Sequence, residues 1–471
     1  MLNTNPEGIK ALRNVLKETN YLFVMKVLRG IGSFLDPWYD FESMKRALEE
    51  LDTPYKNTFF LLQMGIGSPR AALEEEIGKE ALDDILSTGL WGEEDGDIGC
   101  CNLIVLTYQG LYLVTELNPW YENCRNRNTD VYIGSDSFRL AENISFRRGA
   151  SVLDLCSGTG IQGLMAAKSA EKVVSVELNP KTVPVTRFNI LLNEAQDVME
   201  VREGNLYDVL SPEETFDCIY ANPPFIPMLD NVEYPICGTG GEDGLRVLKS
   251  IMKGLPSRLN PGGEAVIFCE CLGDENGVFF DSEMEAMCRE QGWDCVAAHT
   301  GRGTGEYQIE RLAKLTALFQ EGFDSADFKR RMQENYSRLG ARYLYDILYR
   351  MENTGHASFV KADFYNPWHV SDRAEPAEDA CAKMKGGNIS LCLGSREIRL
   401  VSPDVGELVD VFREGYTVEE ASKWLYFKYK KSLLGRNTSF YGYLAAVLNT
   451  CWLLEKDGIL KRVPDNKGIC P

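Results

Sequence analysis

The amino-acid sequence predicts an α/β protein whose core is a mostly parallel sheet, with helical domains before and after it. Three observations carry this expectation. Apolar runs of strand length alternate with helical stretches between residues 131 and 310. A glycine-rich turn directly follows the first of these runs. The flanking sequences lack the alternation and read as helices joined to short hairpins. At about 150 residues per domain, the length of 471 residues suggests roughly three domains, here 1–130, 131–310 and 311–471.

In the first domain Ile9, Leu12, Val15 and Leu16 recur at helical spacing, as do Met44, Ala47, Leu48 and Leu51. From Thr58 a module follows: an apolar stretch, helices Ala71–Ile77 and Lys79–Ser87, an acidic turn at Glu93–Asp97, and apolar runs Asn102–Thr107 and Gly110–Thr115. Helix, turn, helix and hairpin is the order of a winged helix, and a plain helical cap fits the same residues equally well. The core strands are expected at Ser151–Leu155, Val173–Val176, Met199–Arg202, Cys218–Tyr220, Glu264–Cys269 and Asp294–Ala298. Helices fit between them at Gly163–Ser169, Val183–Leu192, Leu245–Leu255 and Ser282–Gln291. Past residue 311 a polar helical region leads into a second winged-helix-like order: a hairpin (Ile389–Leu393, Ile398–Val401), helices Val405–Phe412, Val418–Lys428 and Tyr441–Leu454, then Ile459–Val463. The segment Leu400–Trp424 resembles PqqD-like domains, which implies a peptide held by strand addition; a dimerisation or packing domain is the competing reading, with a homodimer as the candidate assembly.

Asp and Glu outnumber Lys and Arg by 70 to 50, a net charge of -20 that repels phosphate backbones and makes a nucleic-acid substrate less favoured. The 14 cysteines include no CxxC pair, and the three histidines have no metal-ligand spacing, so reduced thiols and no metal are expected. The segment Met1–Glu7 has no signal-peptide character, and no apolar run reaches the ~18 residues of a membrane span, so a cytoplasmic protein with no membrane partner is expected.

Ser151–Leu155 runs into Cys156-Ser157-Gly158-Thr159-Gly160, a strand, a glycine turn and a helix start. Glycines let the backbone approach a ligand closely, and the helix amides can bind an anionic group. Glu177, at the end of the next strand and followed by Leu178, is placed to accept hydrogen bonds from ribose hydroxyls. The spacing Gly158-x-Gly160-x-x-Gly163 with Glu177 also satisfies the dinucleotide fingerprint, which keeps NAD open at this point. Asp154 argues the other way, because a carboxylate suits a sulfonium cofactor with a cationic amine better than a pyrophosphate. Asn205-Leu206, after the third strand, offers an amide carbonyl to an adenine amino group.

The strand before Asn222 ends in Asn222-Pro223-Pro224-Phe225. Methyl transfer to nitrogen is an in-line displacement, and in an amide the nitrogen lone pair is conjugated. Two acceptors, the Asn222 side-chain carbonyl and the Pro223 main-chain carbonyl, can hold the N–H hydrogens and favour pyramidalisation. Paired prolines stiffen the loop, and Phe225 can stack on a planar group. Residues 131–300 resemble class I S-adenosylmethionine-dependent methyltransferases with an NPP(Y/F) loop, and most closely the HemK-like glutamine N5 methyltransferases. Val131-Tyr132 through Asp136-Ser137-Phe138, the Asn222–Phe225 loop and Gly240–Leu245 carry the likeness. The resemblance implies a Rossmann-like core with a mostly parallel seven-stranded sheet, S-adenosylmethionine as cofactor with S-adenosylhomocysteine as product, and contacts to it from Tyr132 and Ser137 as well as Asn222. The Pro- and Gly-containing span Ile226–Gly244 is expected to line the acceptor pocket, so that changes at Tyr234–Ile236 affect the acceptor alone. The leading function is N-methylation of a protein, peptide or amino-acid-derived metabolite. Methylation of an RNA or DNA base, and an inactive cofactor sensor or scaffold, are the alternatives.

Overall fold

In the computed structural model the residues described are 2–31, 41–117, 130–366, 368, 372–385, 388–429 and 440–463. They divide into two compact units, one reaching to Phe364 and the other from Tyr365 onward.

The first unit is built on a nine-stranded sheet. Its strands in chain order are β1 (Ser151–Leu155), β2 (Lys172–Glu177), β3 (Met199–Glu203), β4 (Phe216–Ala221), β5 (Leu259–Asp274), β6 (Asp294–Thr304), β7 (Tyr343–Glu352) and β8 (Ser358–Asp363). Across the sheet they run β8-β6-β7-β5-β4-β1-β2-β3, and a two-residue strand, Gly277–Val278, pairs with the end of β5. Every neighbouring pair in that row is parallel except those of β7, which is antiparallel to both β5 and β6. The open dinucleotide-binding order has six parallel strands and no such insertion, so the topology departs from the NAD alternative.

Helices α1 (Ser135–Asn143), α2 (Ile161–Ala167), α3 (Val183–Leu192), α4 (Arg246–Gly254) and α5 (Asp281–Gln291) alternate with these strands, followed by α6 (Gly305–Phe319) and α7 (Ser325–Leu339). The strands are apolar over their whole length because both faces are covered; Val152, Leu153, Val173, Val174, Cys218 and Ile219 are all buried. The expected boundary at residue 310 is corrected here. It falls inside α6, and β7 and β8 belong to the core sheet rather than to a separate domain.

Ahead of the sheet, Pro6–Glu18 buries Ile9, Leu12, Val15 and Leu16 as their spacing predicts. Asn5 caps that helix by accepting from the Glu7 amide. Residues Lys56–Met64, Ser68–Pro69, Arg70–Ile77, Lys79–Ser87, Trp91–Glu94 and Asp97–Cys100 then follow the order of a winged helix, its three short strands forming one sheet. The wing differs from the expected one, since its strands flank the acidic turn itself. The apolar runs after it form a separate hairpin, Leu103–Tyr108 with Leu111–Glu116.

The second unit holds a three-stranded meander (Ala380–Lys385, Asn388–Leu393, Arg396–Val401), helices Pro403–Arg413, Val418–Lys428 and Phe440–Lys456, and the pair Arg373–Pro376 with Leu460–Val463. Leu391, Leu408, Phe412, Leu425 and Leu454 make its own core. None of the described helices is long and apolar enough to cross a membrane.

Candidate functional site

In this sheet the chain reverses direction of travel at β1, leaving a crevice at the carboxyl ends of β1 and β4, where open α/β sheets bind ligands. A cavity of about 810 Å³ opens there, within the size range of small-molecule sites. Its wall includes Tyr132, Ser137, Ser157, Gly158, Glu177, Leu178, Asn205, Leu206 and the whole Asn222–Phe225 loop. The structure therefore brings together residues spread over 94 positions of chain, read as site residues from the sequence.

The turn after β1 takes positive φ at Cys156 (56°), Gly158 (54°) and Gly160 (82°). A Cβ on Gly160 would lie 2.9 Å from the Thr186 methyl of α3, so glycine is required there both by conformation and by space. Gly160 and Asp154 themselves are absent from the cavity wall, a correction to their reading as ligand contacts. Asp154 is 1% exposed and lies under the turn, accepting from the Gly163 amide (3.1 Å) and the Ser175 hydroxyl (3.0 Å). Burial pushes its carboxyl up to about 7, with hydrogen bonds from Ser175 and Gly163 opposing the rise. Its work is to hold the turn.

Glu177 closes β2 and accepts the Gly158 amide (2.8 Å) and the Asn179 amide (2.8 Å). Burial raises its pKa, and these backbone donors partly offset the effect. A carboxylate has about four acceptor positions, and its backbone donors leave capacity for a ribose hydroxyl. The amides of Gly158 and Gly160 are both spent inside the protein, the second on the Ser157 carbonyl at 2.8 Å. These two amides are therefore not the ones that would meet an anion. The Ser157 hydroxyl is buried with no partner among the described residues and remains for a ligand. A nucleoside end at Glu177, Leu178, Asn205 and Leu206, and an amino-acid end near Ser157, fit the shape and donors of S-adenosylmethionine.

The catalytic-loop candidate is fixed by α1. Asn222 Nδ2 donates to Asp136 Oδ2 (2.7 Å) and to Ser137 Oγ (3.3 Å). Asp136 in turn accepts from the Tyr132 hydroxyl at 3.0 Å. Because a carboxylate only accepts, the Asn222 amide orientation is determined. Its Oδ1 is buried and has no partner among the described residues. Phe225 packs edge-on against Phe268, ring centroids 5.9 Å apart.

Three further segments complete the wall. The segment after Phe225 folds back on the loop, with the Ile226 amide on the Gly238 carbonyl (2.8 Å) and the Gly240 amide on the Ile226 carbonyl (2.9 Å). Tyr234–Thr239 line the cavity. From α6, Tyr307, Arg311 and Leu315 reach the wall at four-residue spacing, one face of the helix. The hairpin before the core adds Thr115, Glu116 and Leu117. The span Ile226–Gly244 was picked out by its composition, whereas the period of four on α6, though legible, was cut across by the boundary placed at 310.

Residues 130–270 match the model of the methyltransferase small domain. The chain is 28% identical to the release factor glutamine methyltransferase of Rhodopirellula baltica, over 26% of this chain and 46% of that one. It is 30% identical to a candidate protein N5-glutamine methyltransferase of Methanocaldococcus jannaschii, over 30% of this chain and 72% of that one. It is 28% identical to the ribosomal protein uL3 glutamine methyltransferase of Bordetella pertussis, over 24% of this chain and 42% of that one. The first and third matches span less than half the relative's length. With the sheet order, the glycine turn and the Asn222 loop as described, the chain belongs to the HemK-like class I methyltransferases.

Proposed function

We propose that this protein is an S-adenosylmethionine-dependent N-methyltransferase, acting in the cytoplasm on a nitrogen of a protein, peptide or amino-acid-derived metabolite. The observation that carries the reading is Asn222. Its Nδ2 is held by Asp136 and Ser137, and its Oδ1 is a buried acceptor with no partner among the described residues. Leaving such an atom unmet costs about 1–3 kcal/mol, and an N–H arriving from the acceptor removes that cost.

When bound, S-adenosylmethionine supplies an electrophilic methyl group on a sulfonium. Glu177 holds the ribose end, and the Gly158 amide keeps that carboxylate in place. Asn222 Oδ1 and the Pro223 carbonyl take the two hydrogens of the acceptor nitrogen, which turns its lone pair toward the methyl group. The Asn222 carbonyl is held by the bonds of its Nδ2 to Asp136 and Ser137 before reaction, so the positive charge that develops on nitrogen meets a dipole already in place. Phe225 covers the planar part of the acceptor.

Transfer of labelled methyl from S-adenosylmethionine into protein, nucleic-acid and small-molecule fractions of a cell extract tests the proposal. Label is expected in the protein or metabolite fraction, and Asn222→Ala is expected to reduce it by about 10²–10³-fold with cofactor affinity retained. Label in nucleic acid would favour the reading in which the winged-helix order ahead of the core serves base methylation.

A further inference from the structure

Beyond Asn222 the cavity runs into charged side chains that the methyl-transfer step does not use. Glu270 on β5 stands directly opposite Asp346 on antiparallel β7, and like charges in that position destabilise a sheet. Phe268 lies two residues before Glu270 on the same face of β5 and touches Phe225, so this pair adjoins the catalytic loop. Arg139, one turn along α1 from Asp136, bonds Asp346 at 2.5 Å. Arg311 of α6 stands 3.8 Å from Glu270. The Glu270 side chain is 12% exposed, and its Oε2 is buried with no hydrogen-bond partner among the described residues. The hydroxyl of Tyr336, on α7, is buried in the same condition, and Glu270 raises its pKa electrostatically, second to burial. For Glu270 itself burial pushes the carboxyl up to about 7; Asp346 and Asp136 add to the rise, and Arg311 and Arg139 oppose it.

We infer that this cluster is a second subsite of the acceptor pocket, and that it takes a cationic group, an amine or guanidinium, carried by the molecule whose nitrogen is methylated. The inference rests on the N-methyltransferase reading and narrows its substrate class. Two arguments fix the sign of the charge. Three carboxylates (Asp136, Glu270, Asp346) meet two arginines, and Arg139 is already engaged by Asp346. Asn222 Oδ1 and Glu270 Oε2, buried without a partner among the described residues, are acceptors, and the Tyr336 hydroxyl can donate or accept. A cation at Glu270 would satisfy the open oxygen and stabilise the ionised carboxylate, whereas an anion would add a further negative charge beside Glu270 and Asp346. The network Asn222–Asp136–Tyr132 and the pair Arg139–Asp346 share α1, so filling the subsite bears on the element that aims Asn222.

The test uses the full chain saturated with S-adenosylhomocysteine. n-Butylguanidinium and n-butylammonium are titrated by calorimetry beside n-butanol and butyrate, neutral and anionic probes of the same length. Both cations are expected to bind at least about tenfold more tightly than butanol or butyrate, the scale of one hydrogen-bonded charge. Glu270→Gln, which keeps the shape, is expected to remove that preference with S-adenosylhomocysteine affinity retained. Equal binding of cations and butanol, a preference for butyrate, or a cation preference that survives Glu270→Gln overturns the subsite. The wild-type comparison stands even if the variant does not fold. Failure of the wild type to bind S-adenosylhomocysteine overturns the methyltransferase reading instead, and the subsite with it.

Discussion

Asp154 shows how a residue can be picked out for one reason and serve another. From the sequence it stands beside the glycine turn and reads as a partner for a cationic cofactor group. In the fold it is buried under that turn, on the Gly163 amide and the Ser175 hydroxyl. Burial raises its pKa from 3.8 to about 7. A carboxyl whose folded pKa lies above its unfolded one favours the folded state below the unfolded pKa. That contribution is lost as pH rises toward 7, because the folded state must then bury a charge. Asp154→Asn, which cannot ionise, should therefore gain thermal stability over the wild type as pH is raised from about 4 to about 7, by an amount on the order of a few kcal/mol at most. Melting curves across that range check it; a difference that does not change with pH would mean the carboxylate is already charged and fully compensated by its donors. Asn222 is the contrasting case. A strand end followed by two prolines announces a stiff turn, and its place in the cavity wall was legible from that. Its partner Asp136 was visible only as part of the Val131–Phe138 stretch, since a hydrogen bond across 86 residues leaves no local signal.

At the scale of elements, periodicity recovered what is local. Ser151–Leu155 and Val183–Leu192 match their expected bounds, and the other core strands and helices named from the sequence fall within a few residues of theirs, except that β5 and β6 run longer. What escaped is β7. Its sequence Tyr343-Leu-Tyr-Asp-Ile-Leu-Tyr-Arg-Met-Glu352 follows two helices, and its partners β5 and β6 are fixed by long-range pairing alone. With β7 went Asp346, and with α6 went Arg311, so the charged end of the cavity could not be read in advance. The segment 226–244 was recognised by composition, but its reach was underestimated. It is pinned to the catalytic loop at Ile226, and Tyr234–Thr239 line the same cavity as Glu177. Replacing Tyr234, Pro235 and Ile236 together by alanine should therefore weaken cofactor binding as well as raise the acceptor KM. About fivefold on each is expected, equivalent to ~1 kcal/mol of lost apolar contact. An unchanged cofactor Kd beside a raised KM would confine the segment to the acceptor.

For the molecule as a whole, the question is which parts the site needs. Among the described residues, those of the cavity wall lie between Ile104 and Asp346. The N-terminal end of that range is no passive addition. Asn189 on α3 and Asn193, the residue that caps its C-terminal end, pair with the backbone of the hairpin at Val114 (2.7 and 2.9 Å) and at Tyr112 (2.9 and 2.7 Å). Asn189 Nδ2 also donates to the Thr159 carbonyl in the glycine turn (3.0 Å). Glu116 accepts the amides of Asp130 (2.6 Å) and Val131 (3.0 Å), where the chain enters the site. Two side-chain amides thus tie the hairpin, the helix and the cofactor turn into one hydrogen-bonded set, all of it buried or half-buried. Removing the hairpin would orphan several of these groups at a cost of about 1–3 kcal/mol each. The unit that begins at Tyr365 has a separate core. A chain ending at Phe364 should consequently bind S-adenosylhomocysteine with the affinity of the full protein, whereas one lacking residues 2–117 should lose that binding. Calorimetry on the two truncations decides it. If the chain ending at Phe364 binds more weakly, the second unit acts on the site; if it binds normally yet methylates no extract fraction that the full protein does, the second unit recognises the acceptor and the PqqD-like likeness of Leu400–Trp424 becomes the place to look for how.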